Sequence, residues 1–125
     1  MKSIAALALL AMLAPLPAFG VQTSLQLQIS SDRDFQTSVL RYDCGAEEPI
    51  TVTYINAAPN FLAVVPIAEE TQPMVFTAVI SGSGVRYAAG KWIWWTKGAD
   101  AELYDETADD PEKSILTCAE INNTP

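Results

Sequence analysis

The sequence contains no histidine. That removes the commonest general base and the commonest neutral metal ligand. Every Ser-His-Asp or Cys-His arrangement for nucleophilic catalysis goes with it. Positive charge is also scarce. Seven Lys and Arg stand against fifteen Asp and Glu, a formal net charge of -8. Nucleic acid and anionic membranes would repel such a chain, whereas a cationic protein would be attracted and steered to it. Cysteine is limited to Cys44 and Cys118. Two thiols without histidine do not make a zinc site. The acidic surroundings of Cys44 in "YDCGAEE" are wrong for a reactive thiolate.

Long apolar runs are absent except at the N-terminus. In "MKSIAALALLAMLAPLPAFG", Lys2 precedes an unbroken apolar run from Ile4 to Leu13, and Pro15 and Pro17 follow it. The run is too short to span a bilayer comfortably. Ala18 and Gly20 are small residues placed for a signal peptidase, so residues 1–20 read as a secretory signal peptide and 21–125 as one mature domain. Losing the single charge of Lys2 takes the net charge from -8 to -9. No cysteine lies near the cleavage site to accept a lipid, so the mature protein is expected to be periplasmic or secreted, soluble and without a stable membrane anchor. In that oxidising compartment Cys44 and Cys118 read as one disulfide.

A helical apolar stripe is missing beyond the leader, and so are repeats and linkers. What is there instead is period-two alternation. "PITVTYIN" (49–56) is the clearest strand: Ile50, Val52 and Tyr54 face one way and Thr51, Thr53 and Ile55 the other. Strands are also expected at 24–30, 37–44, 61–67 and 74–80, in "GVRYAAG" and "KWIWWTKG" around a tight turn near Ala89-Gly90, in "AELYDE" and in "SILTCAE". Many short strands with turn signals between them predict an all-β barrel or sandwich.

Catalytic and metal-binding candidates are weak. Glu47-Glu48, Glu69-Glu70 and Asp109-Asp110 fall in expected turns and read as solvated surface. "DDPE" lacks the spaced ligands and turn glycine of a calcium loop. Ser83 with Lys97 or Lys91 would be the remaining nucleophile–base pair. No catalytic residue, cofactor or metal is therefore assigned.

One segment stands apart. "SGSGVRYAAGKWIWWTKG", from Ser81 to Gly98, holds Gly82, Gly84, Gly90 and Gly98, all three tryptophans, and Arg86, Lys91 and Lys97. Two glycines flank Ser83 and make it a small hydroxyl on a protruding turn. No helix pattern follows, so a phosphate-binding loop is excluded. In a strand, Trp92 and Trp94 face one side and Ile93 and Trp95 the other. One of these sides belongs to the core. The other is a candidate contact surface, for a protein or for a glycan.

This segment resembles the signature of the bacterial inhibitors of c-type lysozyme, the MliC/PliC family. The resemblance rests on Ser83-Gly84, Arg86-Tyr87 and Trp95-Thr96-Lys97-Gly98, on Tyr42-Asp43-Cys44 followed by "ITVTYIN", and on the late Cys118. It covers roughly residues 38–120. It implies a small antiparallel β-barrel of about eight strands with one disulfide, and a non-enzymatic protein whose partner is c-type lysozyme. It also implies that Ser83 and Lys97 enter the lysozyme cleft, with Gly84, Tyr87 and Arg86 in the binding surface and Gly82 and Gly98 shaping the loops. The chain departs from the family in its extra tryptophans and in Lys91. A periplasmic barrel that binds a glycan through its aromatic strand is the alternative.

Overall fold

In the computed structural model, which describes residues 11–15, 24–30 and 35–122, the alternation becomes eight antiparallel strands. They are β1 (Gln36–Asp43), β2 (Ile50–Ala57), β3 (Asn60–Val65), β4 (Met74–Val79), β5 (Val85–Ala89), β6 (Trp92–Lys97), β7 (Asp100–Asp105) and β8 (Leu116–Glu120). Each pairs with the next in sequence, and β8 closes on β1 to complete the barrel. Full closure leaves no unpaired sheet edge among the eight strands.

The inward positions of each strand make the core: Tyr42, Val52 and Tyr54, Ala63 and Val65, Phe76, Tyr87, Trp92 and Trp94, Ala101 and Leu103, and Cys118. Aromatic bulk fills the barrel. Trp94 is fully buried and meets Tyr42 edge-on at 5.4 Å between ring centroids. Their polar tips are satisfied inside. The Trp94 indole donates to the Tyr54 hydroxyl at 2.9 Å, and the Tyr54 and Tyr42 hydroxyls share a bond of 2.7 Å. No buried side-chain nitrogen or oxygen among the described residues lacks a partner. Burial pushes the phenol pKa values of Tyr42, Tyr54 and Tyr87 upward, because a phenolate there would lose its hydration.

The closing seam is short. Tyr42 lies opposite Glu120 and Asp43 opposite Ala119, and the Ile121 amide donates to the Arg41 carbonyl at 2.8 Å. Cys44 and Cys118 are joined there, so the expected disulfide staples the barrel where its ladder is briefest.

One expected strand is absent. Residues 24–30 alternate Leu25, Leu27 and Ile29 with polar residues, yet they form no ladder. The reason is closure: β1 already pairs with both β2 and β8. Residues 25 and 27–30 instead border a groove of about 660 Å³ on the outer wall of β2–β4, beside Ile55, Leu62, Val64 and Val75. Most of the expected leader, residues 1–10 and 16–20, lies outside the described residues. No helix among the described residues is long and apolar enough to cross a membrane.

Candidate functional site

The loop between β4 and β5 and the end of β6 meet on the outer wall. Val85 lies opposite Thr96 and Arg86 opposite Trp95. This register brings Ser83, thirteen positions before Thr96 in sequence, beside the C-terminal end of β6. Gly84 makes the approach possible. Its φ is +63°, and a Cβ built there would stand 2.2 Å from the Thr96 carbonyl oxygen and 2.7 Å from Lys97 Cγ. Only glycine tolerates both conditions.

Two donors tie the loop down at one atom. The Ser83 carbonyl accepts from Trp95 Nε1 at 2.9 Å and from Ser81 Oγ at 2.5 Å. The Ser83 hydroxyl is left exposed and makes no hydrogen bond among the described residues. Lys97 is exposed as well. Its ammonium lies 4.0 Å from the centroid of the Trp95 ring and joins no ion pair among the described residues. Gly98, with φ +57°, opens the two-residue turn into β7 and places Asp100 opposite Lys97.

The other expected site residues divide. Arg86 is on the outer wall but is engaged within the chain: its guanidinium bonds Glu106 Oε1 at 2.9 Å and lies 5.8 Å from the Trp95 centroid. Tyr87, which the resemblance places in the binding surface, is instead 5% exposed and faces the barrel interior beside Tyr54. Adjacent strand residues point to opposite faces, so Arg86 and Tyr87 cannot both face a partner. Gly82 has ordinary φ, and nothing lies within 4 Å of a Cβ built there. The free protein therefore does not require glycine at that position.

Trp95 is the residue that sequence reasoning underrated. It touches the loop through its N–H and Lys97 and Arg86 through its ring. Beside it, a cavity of about 440 Å³ is bordered by Arg86, Tyr104, Glu106, Pro111 and Glu112. The Tyr104 hydroxyl donates to Glu102 at 2.5 Å, and desolvation together with that carboxylate pushes its pKa up to about 12. Trp92 and Trp94 are buried in the core. Trp95 alone of the three is partly exposed, and its ring carries the Lys97 ammonium.

The pairing a Ser-Lys dyad needs is not formed. Lys91 bonds Asp105 at 3.0 Å, and Lys97 lies over Trp95 without bonding Ser83. No group of three or more His, Cys, Asp or Glu among the described residues is disposed to hold a metal ion.

Residues 42–112 match the family described as membrane-bound lysozyme-inhibitor of c-type lysozyme, MliC. The chain belongs to the MliC family. A Pseudomonas aeruginosa protein named membrane-bound lysozyme inhibitor of C-type lysozyme is 39% identical over 94 residues, which is 75% of this chain and 73% of that protein. An Escherichia coli K12 protein of the same name is 31% identical over 88 residues, 70% of this chain and 72% of that protein. The crystal structure of Pseudomonas aeruginosa MliC in complex with hen egg white lysozyme superposes with a TM-score of 0.65 at 37% identity, over 81% of this chain and 100% of that one. MliC proteins carry the name of an enzyme's inhibitor and not of an enzyme.

Proposed function

We propose that this protein inhibits c-type lysozyme by inserting the Ser83 loop and Lys97 into the active-site cleft. One observation carries the reading. The loop is fixed through the Ser83 carbonyl, while the Ser83 hydroxyl is exposed and unbonded and the neighbouring Lys97 is exposed, its ammonium on the Trp95 ring and in no ion pair among the described residues. Lysozyme works through two carboxyl groups, one held protonated and one ionised. A hydroxyl can donate to the ionised group or accept from the protonated one. An ammonium favours the ionised form and forms the stronger, charge-assisted bond. A loop seated on both groups occupies the space of the scissile sugar. The net charge of -8 suits a basic enzyme and accelerates encounter.

The reading extends to location. The protein acts in an oxidising compartment outside the cytoplasm, as the leader-like residues 1–20 and the Cys44–Cys118 bond suggest. It acts there as a soluble protein, since both cysteines are spent in the disulfide. Its relatives are named membrane-bound. Fractionation of a native host tests this, and recovery with the membranes would overturn it.

The functional test is clearing of a cell-wall suspension by an animal c-type lysozyme, with the mature protein titrated in. Inhibition should saturate near one inhibitor per enzyme. Ser83→Ala and Lys97→Ala should each weaken it. Unimpeded clearing at a large excess of folded, oxidised protein would overturn the proposal.

A further inference from the structure

We infer that Trp95 is a positioning residue that holds the Ser83 loop and Lys97 as one preformed unit. The inference rests on the lysozyme reading for its consequence, but its structural content stands in the free protein. Two observations meet on this side chain, and a third on the strand that carries it. Its indole N–H donates to the Ser83 carbonyl at 2.9 Å. The Lys97 ammonium lies 4.0 Å from its ring centroid, a cation–π distance. Its own strand supplies the Thr96 carbonyl against which Gly84 is packed.

An exposed glycine-flanked loop and a long lysine side chain would ordinarily sample many conformations. Ordering them on binding costs affinity, and ordering them beforehand removes that cost. Trp95 orders both from one point. The hydroxyl and the ammonium are consequently not independent contributors. Loosening the indole loosens both, so their substitution effects are not additive.

The ring and the N–H can be separated. Trp95→Phe keeps an aromatic face for Lys97 but deletes the donor to Ser83, whereas Trp95→Leu deletes both. Trp95 is only partly buried, and the core tryptophans Trp92 and Trp94 report whether each variant folds. The readout in the free protein is nitrogen-15 relaxation of the Ser81–Gly84 amides, with exchange of the indole proton measured in the unaltered protein. The unaltered loop should be as ordered as β5 and β6, and its indole proton should be protected. Trp95→Phe should raise loop mobility and weaken lysozyme inhibition about three- to tenfold, the scale of one lost hydrogen bond. Trp95→Leu should weaken it further, and Lys97→Ala should cost less in that background than alone.

A loop equally ordered in Trp95→Phe, or an unprotected indole proton in the unaltered protein, overturns the inference whatever inhibition does. A loosened loop with unchanged inhibition overturns its functional half. Failure of the unaltered protein to inhibit lysozyme is a separate outcome. It sinks the lysozyme reading while the relaxation data still decide the positioning role.

Discussion

Gly84 and Gly82 flank the same serine, yet alanine should be felt very differently at the two. At Gly84 the new Cβ would stand 2.2 Å from the Thr96 carbonyl oxygen, an atom fixed in a barrel strand, and the backbone has φ +63°. A left-handed conformation costs an L-residue about 1–2 kcal/mol. Relief of the clash requires the loop to lift from β6, with loss of one or both bonds to the Ser83 carbonyl at about 0.5–1.5 kcal/mol each. The sum is about 1.5–5 kcal/mol, divided between a lower melting temperature and a displaced loop. If half of it appears in binding, inhibition weakens by about three- to seventyfold. At Gly82 nothing lies within 4 Å and φ is ordinary. Gly82→Ala should leave melting and loop order unchanged, and any loss it shows must come from contact with the partner. The assay is a thermal melt beside a lysozyme inhibition titration for both variants. Equal melting and equal inhibition for Gly84→Ala and the unaltered protein would refute the claim that close packing on β6 sets the loop.

Further outcomes follow from the barrel and its charges. Replacing Cys44 and Cys118 with serine should lower stability by up to about 4 kcal/mol, the chain-entropy value for a loop of this size, since the bond spans 74 residues. Denaturant melts test this, and a loss under about 1 kcal/mol would contradict it. Tyr42, Tyr54, Tyr87 and Tyr104 all have pKa values raised above 10.0 in the fold, with desolvation the first cause in each. Stability should therefore hold below pH 10 and decline as pH rises beyond it, with tyrosinate absorbance emerging together with unfolding. The Asp105 carboxyl is held down to about 2, first by the Thr107 hydroxyl and then by Lys91. Its contribution is present above pH 3.8 and is lost as pH falls toward 2, which carboxyl NMR titration can follow. Finally, the association rate with a basic lysozyme should fall as ionic strength rises, because the charges that steer encounter are screened.

Much of the fold was legible because period-two alternation is a local signal. Ile50, Val52 and Tyr54 announced β2, and Gly90 marked the tight turn between β5 and β6. Residues 24–30 show the limit. Their alternation is as regular as that of β2, but whether a partner strand is free depends on β8 reaching β1 from the far end of the chain. The site was legible chiefly through a family resemblance. Nothing in local pattern says that Ser83 and Lys97 are neighbours, since that depends on the β5–β6 register. Alternation along β5 explains why Tyr87 lies in the core and not in the binding surface. "Arg-Tyr" reads as a unit in sequence, but a strand sends its two members to opposite faces. The parity of Trp92, Trp94 and Trp95 was readable, whereas the side that faced the core required the barrel.

The proposed function requires Ser83 and Lys97 to occupy the cleft where the sugar chain binds. Competition tests it most directly. The dissociation constant for a c-type lysozyme would be measured with and without a chito-oligosaccharide that fills the cleft. Cleft insertion predicts that the apparent constant rises in proportion to sugar concentration, with no ternary complex at saturation. A constant unchanged by saturating sugar would contradict it and place the contact elsewhere on the enzyme.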